Sequence, residues 1–554
     1  MRIADRPAKL SITLCALALL AACDTVIPVR SPDASCSSLS GSTLSSGLTS
    51  LPTAGATITA ATLMPAATAA QNADGSFAPA LPEYCKVLGS IASVDPQAPP
   101  VKFQLNLPTQ WNQKALQFGG GGFNGVLITG LGAPPSAPPD VPVPLARGFA
   151  TLGTDSGHQV APGVDVQAFA MNDEALVNFA YASYKKVRDY SIEIMVRRYG
   201  SPPRRIYYAG SSEGGREGLT MAQRFPADYD GIFSRVPVIN WVALQVASNR
   251  SGIVLSKGGW LNPAKVEMIH KAVLAACDEL DGLADGIISR YEGCSATFRP
   301  ATLRCANGAD TGNSCLSDAQ LAAVNALRSP TPLGFEVANG ISAYPAFGYG
   351  GENNPGGWPL WWSGKAAPKV PAEPENGIQY RFGNGTIRYF FARNAAFDPL
   401  GFNPLAFAGR VRQISELMDS TNPDLSAYAR HGGKLIIQEN TGDYAQSPFA
   451  GIAYFKSVQA ALGADKVDEF ARLYVTPGAD HGGQGVPNSI DLLGVLDAWV
   501  EQGRAPAEPL VQTAQGSSPP FAVTASRPMC RYPDYPRYTG GDPAAATSFS
   551  CKSP

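Results

Sequence analysis

The clearest hydrophobic pattern in the chain predicts a strand, a sharp turn and a helix over residues 205–225. Residues 205–209 (Arg-Ile-Tyr-Tyr-Ala) are β-branched and aromatic, as in a buried strand. Gly-Ser-Ser-Glu-Gly-Gly follows at 210–215, and residues 216–225 have helical composition. Further strands are predicted to end near Leu116 and to span 435–438 and 472–475, with a late helix over about 489–502.

A different apolar run begins the chain. Residues 10–20 are apolar, follow a basic start and end in Leu-Ala-Ala-Cys at 20–23. A run of this length is too short to span a bilayer and is typical of an export signal, here residues 1–22. Leu-Ala-Ala-Cys resembles the bacterial lipobox, which predicts lipidation of Cys23 and a tethered lipoprotein, with ordinary cleavage near Ala22 as the alternative. Residues 23–75, rich in Ser, Thr and Pro, are predicted to be a tether and lead-in.

Length and charge narrow the function classes. The chain has 554 residues, which predicts a main domain with a large insertion or appendage. Hydrophobic residues make up 45% and charged residues 16%, which excludes wholesale disorder. The formal charge is −2 and no long basic run is present, so nucleic acid is not an expected partner. A membrane is expected only through the lipid anchor.

The cysteines predict a disulfide framework. Eight of the ten lie beyond Cys15 and Cys23, and an exported chain meets an oxidising compartment. Eight cysteines can pair in about a hundred ways, and neighbours in sequence close the shortest loops. The predicted pairs are Cys36 with Cys85, Cys277 with Cys294, Cys305 with Cys315, and Cys530 with Cys551. A zinc site is the alternative, but no Cys-x-x-Cys supports it.

Gly-x-Ser-x-Gly between the predicted strand and helix makes Ser212 the candidate nucleophile. Glycines on both sides allow the cramped turn that raises a serine above a sheet at a helix N-terminus. The alternative is an ordinary glycine-rich connection. A serine needs an imidazole to take its proton and a carboxylate to orient that imidazole.

His481 is the candidate base. In the order serine, acid, histidine, the base must follow Ser212, which leaves three of the four histidines. His270 lies in a helical pattern and is expected at the surface. His431 precedes the strand at 435–438, so no strand remains between Ser212 and His431 to carry the acid. His481 follows the strand at 472–475 and precedes the late helix.

The candidate acid is Asp443. It lies on the loop after the strand at 435–438, and Glu439, nearer the strand end, is the alternative. Asp480 is less suitable, because neighbouring side chains on an extended loop point apart.

Four glycines at 119–122 predict an oxyanion loop. They follow the strand that ends near Leu116, and amides without Cβ atoms nearby can approach a ligand closely. One donor is predicted from Gly121 or Gly122 and the other from the amide of Glu213. No Lys-Ser/Thr follows the glycines, which disfavours a phosphate loop.

Together these motifs resemble the tannase and feruloyl esterase family, which includes hydrolases of mono(2-hydroxyethyl) terephthalate. The likeness covers about residues 80–551. Besides the glycine loop and the Ser212 turn, its marks are Trp-Asn at 111–112, Gly-Thr-Asp-Ser-Gly-His at 153–158, Pro-Gly-Ala-Asp-His at 477–481, Trp-Val-Glu-Gln-Gly-Arg-Ala-Pro at 499–506 and Arg-Pro-Met-Cys-Arg-Tyr-Pro at 527–533. The resemblance implies an α/β-hydrolase core over residues 76–238 and 421–554, with a lid inserted at 239–420.

The resemblance also implies a structural calcium site in the lid. The stretch Cys-Asp-Glu-Leu-Asp-Gly-Leu-Ala-Asp-Gly-Ile at 277–287 spaces carboxylates for one hard cation. The implied ligands are the side chains of Asp278, Asp281 and Asp285 and the carbonyls of Leu283 and Ile287. A solvated acidic turn is the alternative.

Two departures from the family pattern matter. Members commonly join a Cys before the nucleophile to a Cys after the histidine, but here these positions are Ser211 and Gly482. The usual His-Gly-Trp-Ala-Asp before the acid is Glu-Asn-Thr-Gly-Asp at 439–443 here, which weakens the assignment of Asp443.

The predicted function is a serine carboxylic-ester hydrolase acting on esters of aromatic acids of the feruloyl, galloyl or terephthaloyl type. The lid is rich in aromatic residues, most of which are expected to form its own core. Arg388 and Phe391 are candidate substrate contacts, with Arg393 also available to a carboxylate or phenol. The alternatives are a non-catalytic binding lipoprotein on the same fold and a serine peptidase. A fluorophosphonate should label Ser212 quickly in an esterase but not in a non-catalytic binding protein. Cleavage of anilide analogues would indicate a peptidase rather than an esterase.

Overall fold

A ten-stranded sheet forms the centre of the molecule in the computed structural model, which describes residues 31–554. Its strands are β1 (Thr43–Leu44), β2 (Ala56–Met64), β3 (Tyr84–Ile91), β4 (Val101–Pro108), β5 (Lys114–Phe118), β6 (Ala150–Thr154), β7 (Arg205–Ser211), β8 (Gly231–Arg235), β9 (Lys434–Asn440) and β10 (Ala471–Thr476). Their spatial order is β1-β2-β3-β4-β6-β5-β7-β8-β9-β10.

The sheet has an antiparallel half and a parallel half. The pairs from β1 to β4 and from β4 to β6 are antiparallel, and every pair from β6 to β10 is parallel. The parallel strands β8 and β10 are buried along their whole length, as strands covered on both faces must be. The carboxyl ends of parallel strands meet at one edge, where ligands bind in such sheets.

Helices pack on this sheet and make up much of the chain between β8 and β9. The α-helices are Pro32–Ser37, Asp173–Val177, Ser183–Tyr199, Glu213–Arg224, Trp241–Val254, Pro263–Cys277, Tyr291–Thr297, Asp318–Leu327, Trp358–Trp361, Ile378–Thr386, Ala408–Met418, Ser426–His431, Pro448–Leu462, Ala464–Asp468 and Leu492–Gln502. Within residues 31–554, no helix is long and apolar enough to cross a membrane.

Two hairpins follow the last helix, and short two-residue ladders lie elsewhere. The first hairpin pairs Leu510–Gln515 with Val523–Met529, and the second pairs Tyr535–Tyr538 with Phe549–Lys552. The ladders join Ala70–Gln71 to Phe77–Ala78 and Thr331–Pro332 to Ala343–Tyr344.

The stretch between β8 and β9 leaves and re-enters the core at one point. The amide of Ser420 donates to the carbonyl of Ile239 at 3.1 Å, so the two ends of the predicted lid meet. A large buried aromatic cluster fills this stretch, including Trp241, Trp358 and Phe390. The division into a core (76–238 and 421–554) and a lid (239–420) stays a prediction that suits this arrangement.

The described part of the predicted tether is folded. Residues 32–37 form a helix, and β2 pairs with β3 along most of its length. Ser and Thr suggested a loose segment, but β-branched Thr also favours strands, and the disulfide from Cys36 to Cys85 fixes this segment to β3. The predicted signal and the lipidation of Cys23 lie outside the described residues.

The structure contains all four predicted disulfides. They join Cys36 to Cys85, Cys277 to Cys294, Cys305 to Cys315 and Cys530 to Cys551. Each bond closes a loop of fewer than 50 residues, the largest separation being 49. Short closures of this kind are what nearest-neighbour pairing in the sequence predicts.

Candidate active site

Ser212 lies at a strained turn between β7 and the helix Glu213–Arg224. Its backbone dihedrals are φ 62° and ψ −123°, a conformation that a residue with a Cβ rarely adopts. The turn is held by the neighbouring strand, because the amide of Ser212 donates to the carbonyl of Arg235 at 3.0 Å. The strand, turn and helix that the sequence predicts therefore present this hydroxyl at the carboxyl edge of the sheet.

His481 and Asp443 come together from two loops that follow β10 and β9. Their Nδ1 and Oδ2 atoms are 2.7 Å apart. Asp443 is fully buried, and its Oδ1 also accepts the amides of Ala445 and Gln446 at 2.7 and 3.1 Å. These bonds fix the carboxylate, which in turn orients the imidazole. Within residues 31–554 no hydrogen bond joins the Ser212 hydroxyl to His481, a contact that in free enzymes often tightens only when substrate binds.

Glu439, the alternative acid, occupies a different environment. It is the sixth residue of β9, fully buried, and its Oε2 accepts a hydrogen bond from Gln446 Nε2 at 2.8 Å. Burial raises its pKa well above the usual value, and the nearby Asp443 carboxylate adds to this. The neutral form is therefore favoured, which suits a structural carboxyl rather than the charged partner of an imidazolium.

The glycine loop after β5 packs directly against the Ser212 turn. The amide of Gly119 donates to the carbonyl of Ala209 at 2.9 Å. A Cβ at Gly214 would lie 2.6 Å from the carbonyl oxygen of Gly120, so only glycine fits where the loop meets the helix. In the part of the chain that the structure describes, the amides of Gly121 and Gly122 have no hydrogen-bond partner. These two amides, with that of Glu213 in the first helical turn, are free to receive an oxyanion.

Glu217 anchors the glycine loop, and the sequence interpretation did not identify it. Its Oε2 accepts the amide of Gly120 at 3.0 Å and the hydroxyl of Tyr208 at 2.8 Å. Its Oε1 accepts Asn124 Nδ2 at 2.7 Å and the hydroxyl of Tyr184. One buried carboxylate thus fixes both ends of the loop. A glutamate in the second turn of a helix gives no sequence signal of this role.

The side chain of Glu213 points away from the site, so only its amide can contribute there. The carboxylate forms a buried ion pair with Arg216, whose Nε lies 2.6 Å from Oε1. Burial raises the pKa of Glu213, and the Arg216 guanidinium opposes this.

Two aromatic residues of the lid reach the site. The ring of Trp361 meets the imidazole of His481 edge to face, with centroids 5.1 Å apart. Phe382 lies 6.4 Å from Trp361, and its Cζ would be 3.6 Å from a Cβ at Gly122. Phe382 also lines a cavity of about 270 Å³, together with Arg381 and Arg388 among others.

The structure places Phe391, a predicted substrate contact, in the core of the lid. The side chain is buried, 3% exposed, and stacks on Phe402 inside the lid. It lies in a π-helical turn at Ile387–Phe391, where Arg388 faces the cavity and Phe391 faces the lid core. The aromatic composition of this turn is visible in the sequence, but its orientation is not.

The surface position expected for His270 is also wrong. Its Nδ1 lies 3.0 Å from Oε2 of the fully buried Glu352, and the imidazole side chain is 13% exposed. The helical pattern was correct, but another segment of the lid, around Glu352, packs over that face of the helix.

The structure does not support the predicted calcium site. Within residues 31–554, no group of three or more His, Cys, Asp or Glu side chains is arranged to hold a metal ion. Asp278 accepts the amide of Gly286, and Asp281 accepts the amides of Leu283 and Ser289. Asp285 is paired with the guanidinium of Arg527. The acidic turn is thus satisfied by its own amides and by an arginine, which leaves the implied set with the carbonyls of Leu283 and Ile287 without support from the carboxylate geometry.

Comparison with known proteins identifies the family of this chain. The family model described as tannase and feruloyl esterase matches residues 85–552. The chain belongs to the tannase and feruloyl esterase family. An uncharacterized esterase of Agrobacterium fabrum is 37% identical over 546 residues, 95% of each chain. A mono(2-hydroxyethyl) terephthalate hydrolase of Piscinibacter sakaiensis is 33% identical over 533 residues, 86% of each chain.

Solved members of the family share the fold. The structure of feruloyl esterase B from Aspergillus oryzae superimposes with a TM-score of 0.74 at 23% identity, covering 94% of this chain and all of that one. The tannin acyl hydrolase of Aspergillus niger gives a TM-score of 0.67 at 22% identity, covering 93% and 96%. The predicted α/β-hydrolase fold is confirmed. Family membership makes the protein a carboxylic-ester hydrolase.

Proposed function

We propose that this family member is an exported serine esterase that cleaves esters of aromatic acids through an acyl-enzyme. The observation that carries the proposal is the 2.7 Å contact between His481 Nδ1 and Asp443 Oδ2, beside the strained turn at Ser212. A buried carboxylate bonded to one imidazole nitrogen leaves the other nitrogen as a base.

The first half of the reaction forms the acyl-enzyme. Ser212 Oγ attacks the ester carbonyl while His481 Nε2 takes its proton. Asp443 accepts a hydrogen bond from Nδ1–H of His481 and stabilises the imidazolium, while the proton stays on the ring. The carbonyl oxygen becomes an oxyanion, received by the amide of Glu213 and by that of Gly121 or Gly122. His481 then gives its proton to the departing alcohol oxygen, and the acyl group remains on Ser212.

Water completes the cycle. His481 removes a proton from a water molecule, which attacks the acyl carbon through a second oxyanion held by the same amides. Collapse of this intermediate returns the proton to Ser212 Oγ and releases the acid. The Glu217 network keeps the glycine loop in place in both halves, so no reorganisation of the loop is needed.

The aromatic preference rests on Trp361 and Phe382. Trp361 stands against the catalytic imidazole, and Phe382 lies between the oxyanion loop and the 270 Å³ cavity. An aromatic acyl group attached to Ser212 would meet both rings, and edge or face contacts of this kind add to its burial. The cavity is somewhat small for a drug-sized ligand but suits a single ring with substituents.

Arg381 is the better candidate than Arg388 for an acyl group that carries a carboxylate. Arg388 lines the cavity but is paired with Asp165 at 3.0 Å, and Arg393 is paired with Asp173. Arg381 lines the same cavity and has no salt bridge among the described residues. A terephthaloyl-type acid would find its counter-charge there.

Export is supported by the four disulfides, which persist in oxidising compartments. The signal at residues 1–22 and the lipid on Cys23 complete the proposal for localisation. The lid at 239–420 would supply the acyl pocket, and the core at 76–238 and 421–554 the catalytic groups.

One experiment tests the mechanism. A fluorophosphonate should label the wild-type protein stoichiometrically, and peptide mapping should find the label on Ser212. Ser212→Ala should abolish both labelling and hydrolysis of a feruloyl, galloyl or terephthaloyl ester panel. Labelling elsewhere, or hydrolysis retained by Ser212→Ala, would overturn the serine mechanism.

A second assay tests the substrate class. The kcat/KM for esters of aromatic acids should be well above that for acetyl esters, and peptide anilides should be left intact.

A further inference from the structure

Arg235 connects the two halves of the candidate catalytic centre. It is the last residue of β8, and its side chain is buried, with 6% of the residue exposed. A single nitrogen, Nη1, lies 3.0 Å from Oγ of Ser211 and 3.1 Å from the carbonyl oxygen of His481. The two hydrogens of this nitrogen can therefore serve the residue before the nucleophile and the base residue itself.

The same arginine also holds the nucleophile through its backbone. Arg235 and Ser211 are register partners in the parallel pair of β8 and β7. The carbonyl of Arg235 accepts the amide of Ser212 at 3.0 Å. One residue thus contacts Ser211, Ser212 and His481, which lie on two elements far apart in the chain.

No covalent bond can join these elements at this point, because the flanking residues are Ser211 and Gly482. The loop that carries His481 therefore depends on polar contacts. In its neighbourhood, Asp443 orients the imidazole ring, whereas the Arg235 guanidinium holds the backbone of His481 itself. Ring and backbone are thus fixed by two different side chains.

The surroundings are built to accept a buried guanidinium. Burial lowers the pKa of Arg235, and the nearby carboxylates of Asp443 and Asp480 oppose this. A Cβ at Gly483 would lie 2.7 Å from Nη2, and φ at this residue is +88°, so glycine is required where the loop passes the guanidinium. A buried charge destabilises the folded protein when its polar contacts are lost, so the loop is expected to keep its contacts with Arg235.

We infer that Arg235 is a positioning residue that keeps His481 within reach of Ser212. The inference rests on the proposed serine mechanism. Without the guanidinium, the loop would keep the Asp443 contact but lose its link to the nucleophile strand. Displacement of a catalytic group by about 1 Å can cost roughly 10²-fold in rate.

The test compares three variants of the full chain. Arg235→Met removes the guanidinium, and Arg235→Lys keeps a positive charge without the planar set of N–H donors. Ser211→Ala removes one of the hydrogen-bond acceptors of Arg235 with little change in volume. The matched control is Arg472→Met, another buried arginine, which is bonded to backbone carbonyls near the start of β10. Two quantities are measured: kcat and KM for an aromatic ester, and the rate of inactivation by a fluorophosphonate.

We expect Arg235→Met to lower kcat and the inactivation rate together by about 10²-fold with KM nearly unchanged. In the truncated variant Arg235→Ala, which leaves room for the ion, added guanidinium or methylguanidinium at millimolar concentration should restore part of both rates. Arg235→Lys should lie between Arg235→Met and wild type. Ser211→Ala should lower both rates by a few-fold, and the double variant Arg235→Met, Ser211→Ala should be no slower than Arg235→Met alone. Arg472→Met should lower stability only.

Unchanged kcat in folded Arg235→Met, or additive losses in the double variant, would overturn the inference. If Arg235→Met does not fold, Ser211→Ala and Arg235→Lys decide: wild-type rates in both would overturn it. Failure of the serine mechanism is distinguishable, because wild-type protein would then not be labelled at Ser212 at all.

Discussion

The proposed nucleophile side, around Ser212, and the proposed base side, around His481, are held in different ways. Ser212 sits on a turn fixed by backbone bonds to adjacent strands, and the oxyanion loop beside it is anchored by the four contacts of Glu217. The loop that carries His481 has backbone bonds of its own, but His481 itself is held by two distant side chains, Asp443 at the ring and Arg235 at the backbone. Ser212 is thus placed by regular structure, and His481 by a few long-range polar contacts.

This difference indicates where substitutions act. Changes on the nucleophile side disturb a buried network of carboxylate, hydroxyl and amide groups and should cost stability as well as rate. Changes on the base side should cost rate first, because the loop can shift without opening the sheet. Four predictions, in order of expected effect, test this contrast.

Asp443→Asn should lower kcat by about 10³- to 10⁴-fold, because an amide cannot stabilise the imidazolium and favours the wrong tautomer. Glu439→Gln is the matched control, since its carboxyl is already favoured in the neutral form and an amide has nearly the same shape. Steady-state kinetics of both variants on one aromatic ester give the comparison. A mild loss at Asp443 with a severe loss at Glu439 would reassign the acid.

Glu217→Gln should lower kcat by about 10- to 100-fold, somewhat less than the loss of a whole oxyanion donor. The amide offers hydrogens where Gly120, Tyr208 and Asn124 already donate, so the glycine loop should shift and the unfolding midpoint should fall. Kinetics and denaturant unfolding measure the two losses. Glu193→Gln, on an exposed ion pair with Arg197, should change neither. A loss of rate without any loss of stability would contradict the contrast between the two sides.

Trp361→Ala should lower kcat/KM for aromatic acid esters by about 10-fold relative to an acetyl ester of the same alcohol. The indole stands against the imidazole of His481 and would stack with an aromatic acyl group. Trp361→Phe should recover most of the difference, since it keeps a ring. Equal losses on aromatic and acetyl esters would show that Trp361 supports His481 rather than the acyl group.

Asp419→Asn should change the pH dependence of stability and leave kcat unaltered. Burial raises the pKa of Asp419 to about 7, and its Oδ1 accepts the amide of Val242 at 2.9 Å where the lid meets the core. The folded state then binds one more proton than the unfolded state between about pH 4 and 7, so this group makes wild-type stability fall as pH rises through that window.

The Asn variant should lose this slope. The free energy of unfolding of the wild type, measured relative to that of the variant, should therefore be larger at pH 5 than at pH 8. Denaturant unfolding of both proteins at the two pH values, with disulfides intact, measures the difference. Parallel stability curves for the two proteins would contradict the assignment.

Features that depend on neighbours in the chain were predictable from the amino-acid order alone. The β-branched strand before Ser212, the glycines around it and the helix after it are local, and so were predicted within a few residues of the observed Arg205–Ser211 and Glu213–Arg224. The order of serine, acid and histidine narrowed the base to His481, and nearest-neighbour closure gave the four disulfides.

The convergence of distant side chains became visible only in the folded protein. Glu217 and Arg235 look like ordinary charged residues of a helix and a strand, and their importance comes from the loops that fold against them. The same holds for Phe391, which faces the lid core, and for Asp285, whose charge is met by Arg527. Local pattern predicts an element and its faces, whereas the partner of a buried side chain is set by packing between separate segments of the chain.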